Sequence, residues 1–153
     1  MELIIIEDSL RDFQPISILD QTQKRLMANI INFSDPISCI INAFQKQSHL
    51  RPKLKKFGIY VKLIFKNTQD LLEERFFRQI LSQYLEEIGW SDLQYVSFIT
   101  YSQNSIQIDI IFNRVISPSQ IIDLKCLKAT KRQYKILRQA YINTCNSIEK
   151  SYV

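Results

Sequence analysis

The chain is poor in the residues that usually build flexible segments, with two glycines and four prolines among 153 residues. So few of either argue against long linkers, and we expect one domain over residues 1–153. A domain of this length can bury roughly 70% of the surface that its unfolded chain would expose. Hydrophobic residues at 46% and charged residues at 23% are ordinary for a globular protein.

Long apolar runs are also missing. No stretch approaches the ~20 apolar residues that a membrane-spanning helix needs. The first residues, Met1–Asp8, have no basic flank and become acidic too early to resemble a signal peptide. These two absences predict a cytoplasmic protein without a membrane partner.

Residues that bind metals or attack substrates are scarce. Cys39, Cys126 and Cys145 are far apart and form no Cys-x-x-Cys pair, and His49 is the one histidine. This excludes a zinc framework and predicts reduced, partly buried thiols. The sequence also lacks a glycine-rich phosphate loop and a Gly-x-Ser-x-Gly motif. We therefore expect no cofactor.

What the chain does have is positive charge in two acid-free segments. The net charge is +5, and residues 51–66 and 125–138 each hold six basic residues. If these segments meet in space, they form a patch suited to phosphate backbones. The alternative is two solvated faces that aid solubility. The twelve residues are Arg51, Lys53, Lys55, Lys56, Lys62, Lys66, Lys125, Lys128, Lys131, Arg132, Lys135 and Arg138.

The apolar periodicity predicts six strands and three helices. Residues 8–22 are polar and contain Pro15, so we expect them to be irregular. Gly89 is the expected end of the second helix. Alternation of apolar and polar residues predicts strands at 2–6, 24–31, 57–66, 93–101, 106–115 and 121–124. Helical spacing predicts helices at 36–47, 70–88 and from 130 onward.

The order of these elements predicts the fold class. The strands at 93–101 and 106–115 are joined by a short polar turn, which implies antiparallel pairing. Helices fall between some strands rather than after each one. We therefore expect an α+β fold, a mainly antiparallel sheet with helices packed on one face.

Three segments carry a family resemblance. Arg51–Phe65 has a basic loop that enters a strand, and Tyr84–Val96 has a helix, a glycine stop and a strand. Ser105–Val115 has a hydrophobic strand that ends in Asn-Arg-Val. Their order and spacing, clearest over residues 24–149, resemble the relaxase or mobilisation nuclease family, which has an HUH-type endonuclease fold. The resemblance implies a relaxase-like domain that acts in plasmid mobilisation or conjugation.

The resemblance also shows which family residues are missing here. Relaxases cut one DNA strand with a tyrosine, and a metal ion held by three histidines polarises the phosphate. The matching positions here are Thr100, Gln107 and Asp109, and none is histidine. No tyrosine precedes Tyr60. This pattern predicts a degenerate member, a pseudoenzyme with no catalytic residues and no bound metal.

Three hypotheses follow. The first is a catalytically inactive domain that binds DNA or a DNA-processing complex, with Tyr60 and Tyr101 stacking on unpaired bases near the former catalytic face. The second is a subunit that pairs with an active relaxase or another mobilisation protein through Ile64, Ile111 and the aromatic residues. The third is residual nicking with Asp109 as an oxygen ligand for Mg²⁺ or Mn²⁺. In the first, the phosphate contacts are Arg51, Lys53, Lys55, Lys56, Lys128, Lys131 and Arg132.

Overall fold

A five-stranded antiparallel sheet forms the centre of the molecule, in the order β1-β3-β5-β4-β2. The computed structural model describes residues 1–68 and 72–151, with side chains as far as residue 148. The sheet strands are β1 (Glu2–Leu10), β2 (Lys24–Asn29), β3 (Gly58–Lys66), β4 (Tyr95–Ser102) and β5 (Ser105–Asn113). A second hairpin pairs β6 (Val115–Ser117) with β7 (Gln120–Ile121). The helices are α1 (Gln14–Thr22), α2 (Ile37–Ser48), α3 (Glu74–Ile88) and α4 (Lys131–Ser151).

The central strand β5 is buried on both faces. Ile108 and Ile110 belong to the larger core, whereas Ile111 belongs to the smaller core. Because successive side chains of a strand point to opposite faces, these residues show that each face of the sheet carries its own core. The antiparallel β4–β5 hairpin and its turn at Gln103–Asn104 agree with the sequence prediction.

The helices cover both faces of the sheet. Residues of α3 and α4, such as Phe77 and Leu137, pack into the larger core. Ile16 of α1 and Phe44 of α2 pack into the smaller one. The α+β class and the mainly antiparallel sheet are therefore confirmed. The expected placement of all helices on one face needs correction, because α1 and α2 bury their apolar sides on the second face.

The segment predicted to be irregular supplies one of these helices. Strand β1 continues to Leu10, and α1 then runs from Gln14 to Thr22. Pro15 lies in the first turn of α1, where a helix tolerates its missing amide, so it starts the helix rather than breaking it. Burial of Ile16 and Leu19 stabilises this helix against the sheet.

The two later helices have clear end signals. Gly89 follows α3 with φ of 85°, the left-handed conformation that glycine adopts without strain. Thr130 and Gln133 form a capping box at the start of α4, in which each side chain bonds the other residue's backbone amide. The predicted start of α3 near residue 70 lies outside the described residues. In the described part of the chain, every helix is too short or too polar to cross a membrane.

The segment predicted to be a strand at 121–124 is mostly something else. Strand β7 ends at Ile121, and residues Leu124–Cys126 form a turn of 3-10 helix. Asp123 starts that turn by accepting the Lys125 amide with its carboxylate. A capping aspartate therefore ends the extended backbone sooner than the apolar pattern suggested.

Asn113 joins three parts of the fold at the end of β5. Its Nδ2 donates to the Phe44 carbonyl at 2.9 Å and to Gln94 Oε1 at 2.8 Å, and its Oδ1 accepts the Val115 amide at 3.0 Å. The side chain is fully buried. It thereby fixes α2 and the start of β4 against the central strand.

Arg114 joins two loops in the same way. Its Nε donates to the Ile122 carbonyl at 2.7 Å, and its Nη1 donates to the Lys56 carbonyl at 3.0 Å. The Asn-Arg-Val sequence that ends β5 thus has a structural role, because its polar side chains satisfy backbone groups of distant segments.

We expect Asn113→Ala to lower the free energy of unfolding by about 2–4 kcal/mol. The substitution leaves the Val115 amide and the Gln94 side chain buried without their partner. Urea unfolding followed by far-ultraviolet circular dichroism measures the loss. Asn146→Ala, at an exposed position of α4, is the matched control and should change stability by about 0.5 kcal/mol or less. Equal effects of the two substitutions would contradict the role of Asn113.

Candidate functional site

Among the described residues, no helix covers one half of the α1/α2 side of the sheet. The two helices pack near Val96, Phe98 and Ile111. Toward the other end of β3, β4 and β5, the side chains of the same face are partly accessible. We call this region the open face, and its residues are Ile4, Ile6, Tyr60, Lys62, Ile64, Thr100 and Gln107.

A buried carboxylate lies at the centre of the open face. Asp109 is fully buried, and its Oδ1 accepts the Tyr60 hydroxyl at 2.7 Å. Gln107 donates its Nε2 to Oδ1 at 2.8 Å and to Oδ2 at 3.1 Å. The amide presents its nitrogen because its oxygen would repel the carboxylate. These three side chains form a closed hydrogen-bond network.

Tyr60 is held in its protonated form. Burial raises the pKa of the Tyr60 hydroxyl, and the hydrogen bond and negative charge of Asp109 raise it further. The Lys62 ammonium lies 5.4 Å from the centre of the Tyr60 ring. A hydroxyl that donates to a carboxylate and has a raised pKa is the opposite of an activated nucleophile.

The three positions that the resemblance matches to metal ligands lie side by side. Thr100 pairs with Gln107 across β4 and β5, and Asp109 is two residues further along the same face. The structure therefore brings together the positions that the resemblance selected. Their chemistry differs from that of three imidazoles, since they supply a hydroxyl, an amide and one carboxylate.

These donors do not fit a catalytic divalent cation. The Asp109 carboxylate already accepts from Tyr60 and Gln107, and a cation would have to displace one of them. Among the described residues, no group of three or more histidine, cysteine, aspartate or glutamate side chains is placed to hold a metal ion. We therefore assign no reaction step to a metal here.

The two tyrosines proposed for base stacking lie on opposite faces. Tyr60 is on the open face, whereas Tyr101 contacts Phe77 of α3 edge-on, with 6.3 Å between ring centres. Tyr101 is nevertheless 48% exposed at the end of β4. The expectation that both rings lie near the former catalytic face is thus corrected for Tyr101. Ile111, expected at a docking surface, is fully buried beneath α1 and α2.

The two basic segments approach each other at one end of the sheet. Arg114 bonds the Lys56 carbonyl from the first segment and the Ile122 carbonyl just before the second. The Lys128 amide donates to the Glu7 carboxylate of β1. The basic loop contacts the end of the same strand, because the Phe57 amide donates to the Leu10 carbonyl. We call this region the basic end. Its exposed cations are Lys53, Lys55, Lys56, Lys125 and Lys128, with Arg51 partly buried beside them.

Sequence reasoning missed one member of the basic end. Arg11, with Lys55 and Lys56, lines a pocket of about 400 Å³. Arg11 is 44 positions before Lys55 and stands among acidic residues, so charge counting along the chain could not find it. The Lys56 ammonium also donates to the Ser9 hydroxyl at 2.9 Å, which holds it beside β1.

At the start of α4, the Arg132 side chain is directed away from the basic end. Arg132 donates to the Glu87 carbonyl near the end of α3 at 3.4 Å, so it reaches away from the basic loop. Glu7 lies within the basic end and accepts from Gln133 and from the Lys128 amide. The basic end is therefore a mixed surface in which positive charge predominates.

The remaining reactive residues lie outside the network. His49 is the exposed C-cap of α2. Its neighbour Gln47 donates to the Val115 carbonyl just beyond β5, at the opposite end of that strand from Gln107. Cys39 and Cys126 are exposed, and Cys145 is partly buried. Cys39 and Cys126 are more exposed than predicted, because they occupy the outer side of α2 and a surface turn.

An antiparallel sheet with helices on both faces, whose central strand carries Gln107 and Asp109, is the architecture of a relaxase-like domain. A family model for the nuclease domain of MobA/VirD2-like relaxases matches residues 14–152. The match covers most of the chain, and the protein belongs to this family. A search of curated proteins gave no match. Family membership places the protein among domains that process DNA.

We expect Tyr60→Phe to lower the free energy of unfolding by about 1–3 kcal/mol at neutral pH. The substitution keeps the ring but removes one of the two donors to a buried carboxylate. Tyr101→Phe is the control, because its ring is half exposed and no hydrogen bond of its hydroxyl to a buried carboxylate is lost, and we expect little change. Urea unfolding of the three proteins gives the comparison.

The difference in the free energy of unfolding between the wild type and Tyr60→Phe should become smaller at alkaline pH. The raised pKa means that folded Tyr60 keeps its proton where an unfolded tyrosine loses it, above about pH 10. The contribution of Tyr60 is therefore complete below about pH 10 and is lost as the pH rises toward the folded pKa. Because burial is the main cause of the raised pKa, a difference in the free energy of unfolding that stays constant between about pH 8 and about pH 11 would contradict that raised pKa.

Proposed function

We propose that this protein is a catalytically inactive relaxase-like domain that binds DNA without nicking it. The network of Tyr60, Gln107 and Asp109 carries the proposal. Gln107 and Asp109 stand at two of the three positions that the resemblance matches to metal ligands, and together with Tyr60 they satisfy one another. The family supplies the DNA-processing context, and the basic end supplies charge for the phosphates.

The hydrogen bonds of the network oppose the binding of a metal ion at Asp109. A buried carboxylate needs strong donors, and Tyr60 and Gln107 provide them in place of a cation. Binding a metal at Asp109 would release one of these donors into a partly buried region. The single carboxylate gained as a ligand is weak compensation, because Mg²⁺ and Mn²⁺ favour several oxygen ligands.

The lack of a suitable tyrosine nucleophile also supports a catalytically inactive domain. Residues 1–59 contain no tyrosine. Tyr60 is fixed in β3 by its bond to Asp109, and Tyr101 has a pKa raised chiefly by burial. Neither tyrosine combines mobility with a lowered pKa, the combination that an attacking phenolate needs.

The charge distribution supports contact with DNA phosphates. Lys53, Lys55 and Lys56 are exposed in one loop, and Arg11 lies beside the last two. Side chains of this kind bind phosphates with little base preference, so their contribution falls as salt rises. The binding set is Arg51, Lys53, Lys55, Lys56, Lys128 and Lys131, to which we add Arg11; Arg132 is a weaker member because it reaches toward α3.

We expect Lys55→Ala/Lys56→Ala to weaken DNA binding and to flatten its salt dependence. Each lost phosphate contact should reduce the slope of log affinity against log salt by about 0.7–0.9. Fluorescence anisotropy with labelled single-stranded and duplex oligonucleotides over a salt series measures both quantities. Lys135→Ala is the matched control. Lys135 belongs to α4, lies beside Gln83 and Glu87 of α3, and is not a member of the proposed binding set. Absence of wild-type binding to either DNA at low salt would refute the proposal.

We expect no nicking of supercoiled plasmid in Mg²⁺ or Mn²⁺. Agarose electrophoresis under denaturing conditions detects both free and protein-linked nicked strands. Cleavage that Asp109→Ala abolishes would establish the alternative of a residual nuclease, and cleavage unaffected by that substitution would indicate contamination. The Asp109→Ala protein must first give a folded circular dichroism spectrum.

A second candidate is a subunit that docks on a protein partner. The observation that favours it is an apolar strip at the β1 side of the open face. Ile4 and Ile64 are paired neighbours there, and Ile6 is 40% exposed beside them. Such a strip suits a protein surface better than a phosphate backbone. Co-purification with a mobilisation protein, together with no DNA binding, would favour this candidate.

A further inference from the structure

The outer edge of β1 presents backbone groups that point away from the sheet. Strand β1 is the first in the sheet order, so only β3 pairs with it among the described strands. In an antiparallel pair, alternate residues direct their amide and carbonyl away from the partner strand. The Ile5 amide bonds a side chain of α4 rather than β3, which identifies the outward set as Leu3, Ile5, Glu7 and Ser9. An edge of this kind is a template for pairing with another chain.

One side chain of α4 occupies the middle of this edge. The Tyr134 hydroxyl accepts the Ile5 amide at 3.0 Å and donates to the Ile5 carbonyl over a longer distance of 3.4 Å. A residue of an added antiparallel strand would make the same two bonds, since it would accept the Ile5 amide and donate to the Ile5 carbonyl. The Tyr134 hydroxyl therefore takes the place of a residue from another strand.

The segment that precedes Tyr134 is held against β1 at a second position. The Glu7 carboxylate accepts the Lys128 amide at 3.1 Å and the Gln133 Nε2 at 2.9 Å. Lys128 has φ of 121°, a backbone conformation that strains every residue except glycine. We call residues 128–134 the strap. Its hydrogen bonds to β1 are made at the cost of backbone strain, so the strap is released more easily than an unstrained segment would be.

A second copy of the chain has the geometry to pair with the edge that the strap covers. In an antiparallel pairing of two β1 strands centred on Ile5, each Ile5 faces the Ile5 of the other copy, and Leu3 faces Glu7. On the open face, Ile4 of each copy lies opposite Ile6 of the other. Ile6 is 40% exposed in the monomer, and this pairing would cover it in both copies. The arrangement is self-complementary, as a two-fold dimer requires.

We propose that the strap keeps the protein monomeric by blocking a β1-to-β1 pairing between two copies. Release of the strap frees the Ile5 backbone, and the two five-stranded sheets then join into one. A second copy is the occupant because the same pairing bonds the outward groups of both chains and covers Ile6 of both. The proposal is independent of DNA binding and of the network around Asp109.

Like charges oppose the same pairing at its two ends. Glu2 and Asp8 are exposed on the same face of β1 as Ile4 and Ile6. The register centred on Ile5 places Glu2 of each copy opposite Asp8 of the other, and like charges directly opposite across a strand pair are destabilising. Asp8→Lys would turn both repulsive pairs into ion pairs, so this substitution tests the register.

The decisive variant is Tyr134→Phe, which removes the hydroxyl and keeps the ring. Loss of the bond to Ile5 should favour release of the strap roughly threefold to tenfold in each copy. Because both copies must be released, the association constant of the dimer should rise roughly tenfold to a hundredfold. Sedimentation velocity over a concentration series measures this constant. The wild type should sediment as a monomer, and Tyr134→Ala, which also removes the ring, should dimerise at least as strongly as Tyr134→Phe.

Tyr84→Phe is the matched control. The Tyr84 hydroxyl accepts from Gln133 of the strap at 3.4 Å, but its partner is a side chain rather than the backbone of β1. We expect this variant to remain monomeric. In the Tyr134→Phe protein, Asp8→Lys should strengthen the dimer, and Ile6→Lys should weaken it because it replaces the apolar pair on the open face with a charge. A dimer that neither substitution affects would overturn the proposed pairing.

Hydrogen exchange of the Ile5 amide gives a second readout. In dilute Tyr134→Phe protein this amide should exchange faster than in the wild type, and at high concentration the dimer should protect it again. Faster exchange at every concentration, without a dimer in Tyr134→Phe or in a folded Tyr134→Ala, would show that the hydroxyl serves stability alone and would overturn the proposal. If Tyr134→Ala does not fold, Tyr134→Phe decides by itself. A wild type that already dimerises through β1 would also overturn it.

Discussion

Burial of β5 on both faces is the constraint on which the rest of the molecule depends. A polar side chain on such a strand has no access to water, so it must find a protein partner or destabilise the fold. Asp109 finds Tyr60 and Gln107, and Asn113 finds Phe44, Gln94 and Val115. The first set determines the chemistry of the open face. The second set determines how the surrounding elements attach to the strand.

The same constraint explains why the side chains around Asp109 are hydrogen-bond donors. The position of Asp109 requires a compensated charge or a hydrogen-bonded group, and hydroxyl and amide donors meet that requirement. Thr100 lies at the margin of the network and has no partner among the described residues. The polar groups around Asp109 are therefore satisfied, whereas Thr100 at their border retains unused hydrogen-bonding capacity.

Local patterns predicted most of the sheet and two helix ends, because period-two alternation and a glycine stop act over a few residues. They miss α1, because a proline in a polar segment is typical of irregular structure and the burial of Ile16 and Leu19 depends on the tertiary fold. The spacing of Gln107 and Asp109 placed both on one face, but only the tertiary structure shows Asp109 buried. Tyr60 and Asp109 are 49 positions apart, so no local pattern could reveal their hydrogen bond.

The order of the sheet has a consequence for how the protein folds. Strands β1 and β3 pair with each other, as do β2 and β4, but only β5 joins the two pairs among the described strands. Residues 105–113 must therefore be in place before either pair becomes part of a continuous sheet. Pairings over such long sequence separations favour slow folding. Wherever β5 is not in place, β3 and β4 each present an unpaired edge, and exposed strand edges favour aggregation.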